Sequence, residues 1–119
     1  MLTPQRYIEI LSSKGRLLQG MGIGGFALAK EDALEAVRSL VGSQVAIAGG
    51  DVLCVENGRP KYTYDNWYVN RREEESLKDY LARSWDTAER FIREYPDPRD
   101  GTILYTLVTA ELGVPGSSD

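Results

Sequence analysis

The sequence predicts an α+β fold, an antiparallel β-sheet with helices packed on it. Three observations predict it. A long amphipathic helix fits about 76–95, Asn57-Gly58 sits between two strand-like runs, and a final run from Thr102 to Thr109 is rich in Thr, Ile, Tyr and Val. Read along the chain, the order is α-α-β-β-β-α-β.

The first helix has a marked start and stop. Thr3 is placed to cap it, Pro4 suits the first helical position, and Gly15 stands just past its end. Leu2 and Tyr7 are spaced as a hydrophobic staple, and Tyr7, Ile8 and Leu11 form the apolar stripe. The glycines of Gly20-Met21-Gly22-Ile23-Gly24-Gly25 rule out a stable helix there. That stretch lacks the Lys-Ser/Thr ending of a phosphate-binding loop, so it reads as a connector. A second helix fits Lys30 to Val41, with Leu34, Val37 and Val41 recurring at spacings of three and four. Glu31 and Asp32 suit its first turn, and Gly42 is a natural stop.

Val45 to Ala48 and Val52 to Val55 are short apolar runs separated by Gly49-Gly50-Asp51. Leu53 and Val55 point to one face and Val52 and Cys54 to the other, which predicts a central strand covered on both sides. Glu56-Asn57-Gly58-Arg59 predicts a tight hairpin, with Lys61 to Tyr64 returning and Pro60 confined to a strand start or an edge. Trp67 to Val69 continues the sheet after a bend at Asp65-Asn66.

In the third helix, Leu77, Tyr80, Leu81, Ser84, Trp85, Ala88, Phe91, Ile92 and Tyr95 fall within an arc of about 140°. Asp79–Arg83, Asp86–Arg90 and Glu89–Arg93 are spaced as i,i+4 ion pairs on its outer face. Ser76 with Asp79 resembles a capping box, and Pro96 ends the helix. Arg71-Arg72-Glu73-Glu74-Glu75 reads as a solvated approach to it, and Asp97 to Gly101 as a turn.

At 119 residues the chain has the size of one domain with one core. Residues 1–112 are expected to form it, and 113–119 to be a flexible tail. Fourteen basic residues against 18 acidic leave a net charge of −4, which argues against a nucleic-acid partner. The absence of histidine removes Ser-His-Asp and Cys-His catalysis, histidine-ligated haem and most catalytic zinc sites. Cys54, as the lone cysteine, excludes an intrachain disulfide and a Cys-rich metal site; in an apolar strand it reads as a core residue. No metal and no cofactor are expected. No apolar stretch reaches membrane-span length, and Met1 to Arg6 lacks the pattern of a targeting signal. A cytoplasmic protein, monomeric or weakly dimeric, is the expectation.

Two segments stand out as candidate sites. Gly49-Gly50-Asp51 reads either as a turn or bulge needing positive φ, or as a carboxylate exposed on a rigid sheet. Tyr62-Thr63-Tyr64-Asp65-Asn66-Trp67-Tyr68 packs four aromatic residues into seven positions. Such rings fill the gap between sheet and helix, or form a recognition surface, or do both. Asp51, Tyr64, Asp65, Asn66, Trp67 and Tyr68 are therefore the candidate partner-binding residues. A second reading makes Asp51 and Asp65 the carboxylate pair of a small enzyme or ligand-binding domain.

Several blocks carry a family resemblance. They are Ala27-Leu28-Ala29-Lys30-Glu31-Asp32-Ala33-Leu34, Ala48-Gly49-Gly50-Asp51-Val52, Glu56-Asn57-Gly58, Tyr64-Asp65-Asn66-Trp67-Tyr68, and Glu75-Ser76 opening the long helix. In this order they resemble the immunity protein 40 family of bacterial polymorphic toxin systems, over roughly Thr3 to Thr109. The resemblance implies a small α+β protein, without catalytic activity or cofactor, that binds and neutralises a toxin domain encoded by a neighbouring gene. The family's characteristic residues fall on Gly49, Gly50, Asp51, Asp65 and Trp67, either as toxin contacts or as supports of the fold. The chain departs from the family pattern at Gly24-Gly25-Phe26, where a polar pair and a Trp are expected, and at Ala29, where a side-chain cap is expected.

Overall fold

In the computed structural model, which describes residues 2–17, 25–97 and 102–112, the elements are α1 (Gln5–Lys14), β1 (Arg16–Leu17), β2 (Phe26–Ala29), α2 (Lys30–Leu40), β3 (Val45–Glu56), β4 (Arg59–Tyr68), α3 (Leu77–Glu94) and β5 (Thr102–Glu111). The five strands form one antiparallel sheet in the order β1-β2-β5-β3-β4. The fold is α+β, as the sequence predicts. The expected connector at 20–25, most of the turn at 97–101 and the tail at 113–119 fall largely or wholly outside the described residues.

Alternation along the strands divides the core in two. Leu28, Ile47, Val52, Trp67 and Tyr105 join the buried faces of all three helices in the larger cluster. Ala27, Leu53 and Leu104 form a smaller one on the opposite face, so β3, paired along both edges, buries side chains on both faces at Val52–Leu53, while the second face stays open around Asp51. The Arg16 guanidinium donates to the Gly58 carbonyl (2.6 Å), tying the first strand to the tip of the β3–β4 hairpin. That hairpin has Asn57 at φ 53° and Gly58 at φ 77°, the left-handed pair a two-residue turn requires.

The helices depart from expectation at their ends. Pro4 caps α1 through its carbonyl, and the Thr3 hydroxyl instead donates to Glu111 (2.8 Å). Ile10, not Ile8, is the fully buried residue of α1 beside Tyr7, because the buried stripe is centred one position further round. Ala29 precedes α2 without a side-chain cap. Val41 lies beyond the last turn of α2 and is 58% exposed, while Gly42 takes φ 87°. In α3 the Ser76 hydroxyl accepts from the Asp79 amide (3.1 Å), as expected of a cap.

Of the expected i,i+4 pairs on α3, Asp86–Arg90 (3.0 Å) and Glu89–Arg93 (3.3 Å) form. Arg83 turns away from Asp79 to Glu75, donating from Nη2 to Oε1 (2.7 Å) and from Nε to Oε2 (2.8 Å). The 71–75 segment is thus more than a solvated approach: the Glu75 side chain is only 9% exposed and also accepts from the Arg72 amide (3.0 Å). The Arg83 hydrogen bonds first, then the Arg72 amide, hold the Glu75 carboxyl down at about 2. Its folded value lies below the ordinary one, so the pairing stabilises the fold above about pH 4.5 and is lost as pH falls toward about 2. Glu75→Gln is expected to lower the urea midpoint at pH 7 and to flatten its decline between those pH values. Parallel declines for the two proteins would show that the clamp contributes nothing.

Buried Ser84 fastens α3 to the sheet. Its hydroxyl accepts from the Ile47 amide (3.1 Å) and donates to the Leu81 carbonyl (2.8 Å). The adjacent Trp85 indole donates to the Val45 carbonyl (2.8 Å). Ser84→Ala leaves the Ile47 amide without that acceptor and is expected to cost about 1–3 kcal/mol by chemical denaturation.

Candidate functional site

The segment Gly49-Gly50-Asp51 is not a turn. It runs through the middle of β3, and neither glycine takes positive φ. The glycines answer a close approach instead. A Cβ on Gly50 would collide with the Thr106 carbonyl oxygen and the Trp67 indole; one on Gly49 would collide with the Trp67 carbonyl oxygen. Trp67 is the cross-strand partner of Gly50 and lays its ring where a side chain would stand. The Gly-Gly step and Trp67 are one packing unit.

Trp67 is 6% exposed and begins a run of rings between sheet and α3. Its centroid lies 4.6 Å from Phe91, Phe91 lies 5.8 Å from Tyr95, and Tyr95 meets Tyr105 edge-on at 6.0 Å. These contacts place Trp67 in the core.

Two ladder irregularities bend β3 and its neighbours. One lies between Ile47 and Gly49 against β5. In the other, Thr63, Tyr64 and Asp65 of β4 face the single residue Val52, since Asp51 pairs with Asn66 and Leu53 with Tyr62. The bend therefore centres on Thr63–Asp65, not on Asp65-Asn66. Thr63 braces it by donating to the Val52 carbonyl (3.0 Å) and accepting from the Asp65 amide (3.1 Å). At its apex Tyr64 takes φ 70°, a conformation costly for a residue with a Cβ, and its side chain is 88% exposed.

The candidate residues separate into three places. Asp65 lies on the helix side of the bulge, where its carboxylate accepts from the Tyr95 hydroxyl (2.6 Å). This hydrogen bond, then burial, raises the Tyr95 hydroxyl above the ordinary phenol value. Trp67 is in the core. Asp51, Asn66 and Tyr68 lie on the sheet face away from the helices, since Asp51 pairs with Asn66 and Tyr68 follows two residues on. There a depression of about 270 Å³ is lined by Gly49, Gly50, Asp51, Tyr68, Asn70 and Val108. Tyr68 is 75% exposed and Val108 half exposed. The Asp51 backbone amide is held by the Thr106 hydroxyl (3.1 Å). Burial, and then the Asp51 charge, push the nearby Tyr62 hydroxyl up.

Asp51 and Asp65 thus stand on different faces of the sheet and do not flank one cavity. Thr63, Asn70, Tyr95 and Val108 belong to this region but are not among the candidate residues. Thr63 lies inside the 62–68 segment that the sequence singles out and Tyr95 ends the α3 apolar arc, whereas Asn70 and Val108 carried no site signal. Among the described residues no group of three or more Cys, Asp or Glu is placed to hold a metal ion, and no helix is long and apolar enough to cross a membrane.

The order of these blocks along a five-stranded sheet points to a family, and comparison decides it. The model of the family described as immunity protein 40 matches residues 17–109. The chain belongs to the immunity protein 40 family. The match takes in the Gly49-Gly50-Asp51 step, the β4 bulge and the whole of α3. No curated protein and no solved structure matches the chain.

Proposed function

We propose that the protein binds a toxin domain encoded by a neighbouring gene and neutralises it, without catalysis and without a cofactor, in the cytoplasm. The family match over 17–109 carries this reading. The geometry supports it with two exposed tyrosines, Tyr64 and Tyr68, on β4, an edge strand with no partner on its outer side among the described residues. Large exposed rings on a braced strand offer contact area at low entropy cost. Asp51, Asp65 and Asn66 supply the polar rim, while Trp67 supports the fold. Residues 1–112 act as one binding unit, monomeric or weakly dimeric. The alternative reading, a carboxylate pair at Asp51 and Asp65, needs both groups beside one bond, and their placement on different sheet faces opposes it.

The test is calorimetric titration of the toxin domain with this protein, beside a growth-rescue assay. One-to-one binding with rescue is the expected result. Two folded proteins that do not bind would overturn the reading.

A further inference from the structure

The depression on the open sheet face has a chemistry of its own. At about 270 Å³ it lies just below the range of pockets that enclose small-molecule ligands, a size for one side chain. Gly49 and Gly50 line it with backbone alone, and the irregularity of the β3–β5 ladder lies beside it. Asp51, a half-buried residue, lines it and forms no ion pair among the described residues, although ten such pairs occur elsewhere among them. The Tyr68 ring, three-quarters exposed, forms a wall.

A carboxylate without a counter-ion favours a cation that brings hydrogen-bond donors with it. A tyrosine face beside it adds cation–π attraction. The planar guanidinium satisfies both at once, by a forked hydrogen bond to the carboxylate and stacking on the ring. A net charge of −4 on the chain favours a cationic partner surface.

We propose that this depression is a socket for a single arginine side chain of the partner protein, held by the Asp51 carboxylate and the Tyr68 ring. The proposal deepens the toxin-binding reading and rests on it for the identity of the partner. The socket itself is testable without the toxin.

In the first arm, the protein is titrated with acetyl-arginine-methylamide and followed by amide NMR, against the citrulline and lysine analogues. Shifts at Gly49, Gly50, Asp51 and Asn70 are expected with arginine, and their loss in Asp51→Asn. No shifts there, or shifts of equal size with citrulline or lysine, overturn the socket. In the second arm, Asp51→Asn and Tyr68→Leu are titrated with the toxin domain after their urea midpoints are shown to match wild type. Asp51→Asn is expected to weaken binding by about 30-fold, and Tyr68→Leu by about tenfold. Wild-type affinity in both variants would overturn the socket and leave the immunity reading standing. Failure of the wild-type protein to bind toxin, with the arginine shifts present, would overturn the immunity reading and leave the socket standing.

Discussion

Trp67→Ala is expected to cost about 3–5 kcal/mol of folding stability, the range for removing a large buried ring. Against a typical domain stability of about 5–15 kcal/mol, that is enough to leave a marginal or unfolded chain. The reason is the position of the indole. It lies over Gly50, touches Phe91 at 4.6 Å, and joins β4 to α3. Its removal opens a void between elements that cannot collapse, because the β3 and β4 backbones are held by their ladder. Trp67→Phe is expected to cost much less, about 1–2 kcal/mol, since a ring remains. It also removes an indole N–H that is buried without a hydrogen-bond partner among the described residues. Gly50→Ala tests the same unit from the other side. Its methyl group meets the Thr106 carbonyl oxygen as well as the indole, so a smaller residue at 67 does not rescue it. Urea denaturation followed by circular dichroism measures all three. A Trp67→Ala protein with near-native stability would show that the ring faces a partner, not the core.

Tyr64→Gly is expected to behave in the opposite way. The left-handed backbone at Tyr64 costs a residue with a Cβ about 1–2 kcal/mol, and glycine avoids that cost. Glycine loses more chain entropy on folding, by about 0.5–1 kcal/mol, so the melting temperature should stay level or rise slightly. Affinity for the toxin domain should fall by about 30-fold, the loss of one aromatic anchor. A strained backbone that holds up a side chain exposed at 88% contributes nothing to packing. Such strain is found where a site needs it. Calorimetry and thermal melts on one preparation give both quantities. Unchanged affinity would place the interface elsewhere on the molecule. A large loss of stability would show that the Tyr64 ring packs in solution.

The helices were legible for a plain physical reason: their signals are local. Ser76, the arc from Leu77 to Tyr95 and Pro96 delimit α3 within one continuous stretch. The Asn57-Gly58 turn was equally local. β1 and β2 were not legible. Arg16–Leu17 has two residues and Phe26–Ala29 four, too short for an alternation to register, and β2 exists because β5 pairs with it. Gly49-Gly50 reads as a turn to any rule that sees only neighbours in sequence. In the fold it is strand, because Trp67, seventeen positions after Gly50, requires the space.

The same division runs through the candidate site. Residue types and spacing were enough to single out Gly49, Gly50, Asp51 and the 64–68 block, and with them the family. The sequence alone determined the fold class, the long helix, the hairpin and that family likeness, since each rests on residues close together or on an ordered set of short blocks. Only the tertiary structure decided which of those residues are buried and which are exposed. An alternating strand sends neighbours to opposite faces, and the two extra residues at Thr63–Asp65, an even number, preserve that alternation while leaving Tyr64 exposed at the apex. Trp67 faces inward and Asp65 meets Tyr95, while Asp51 and Tyr68 line the open face.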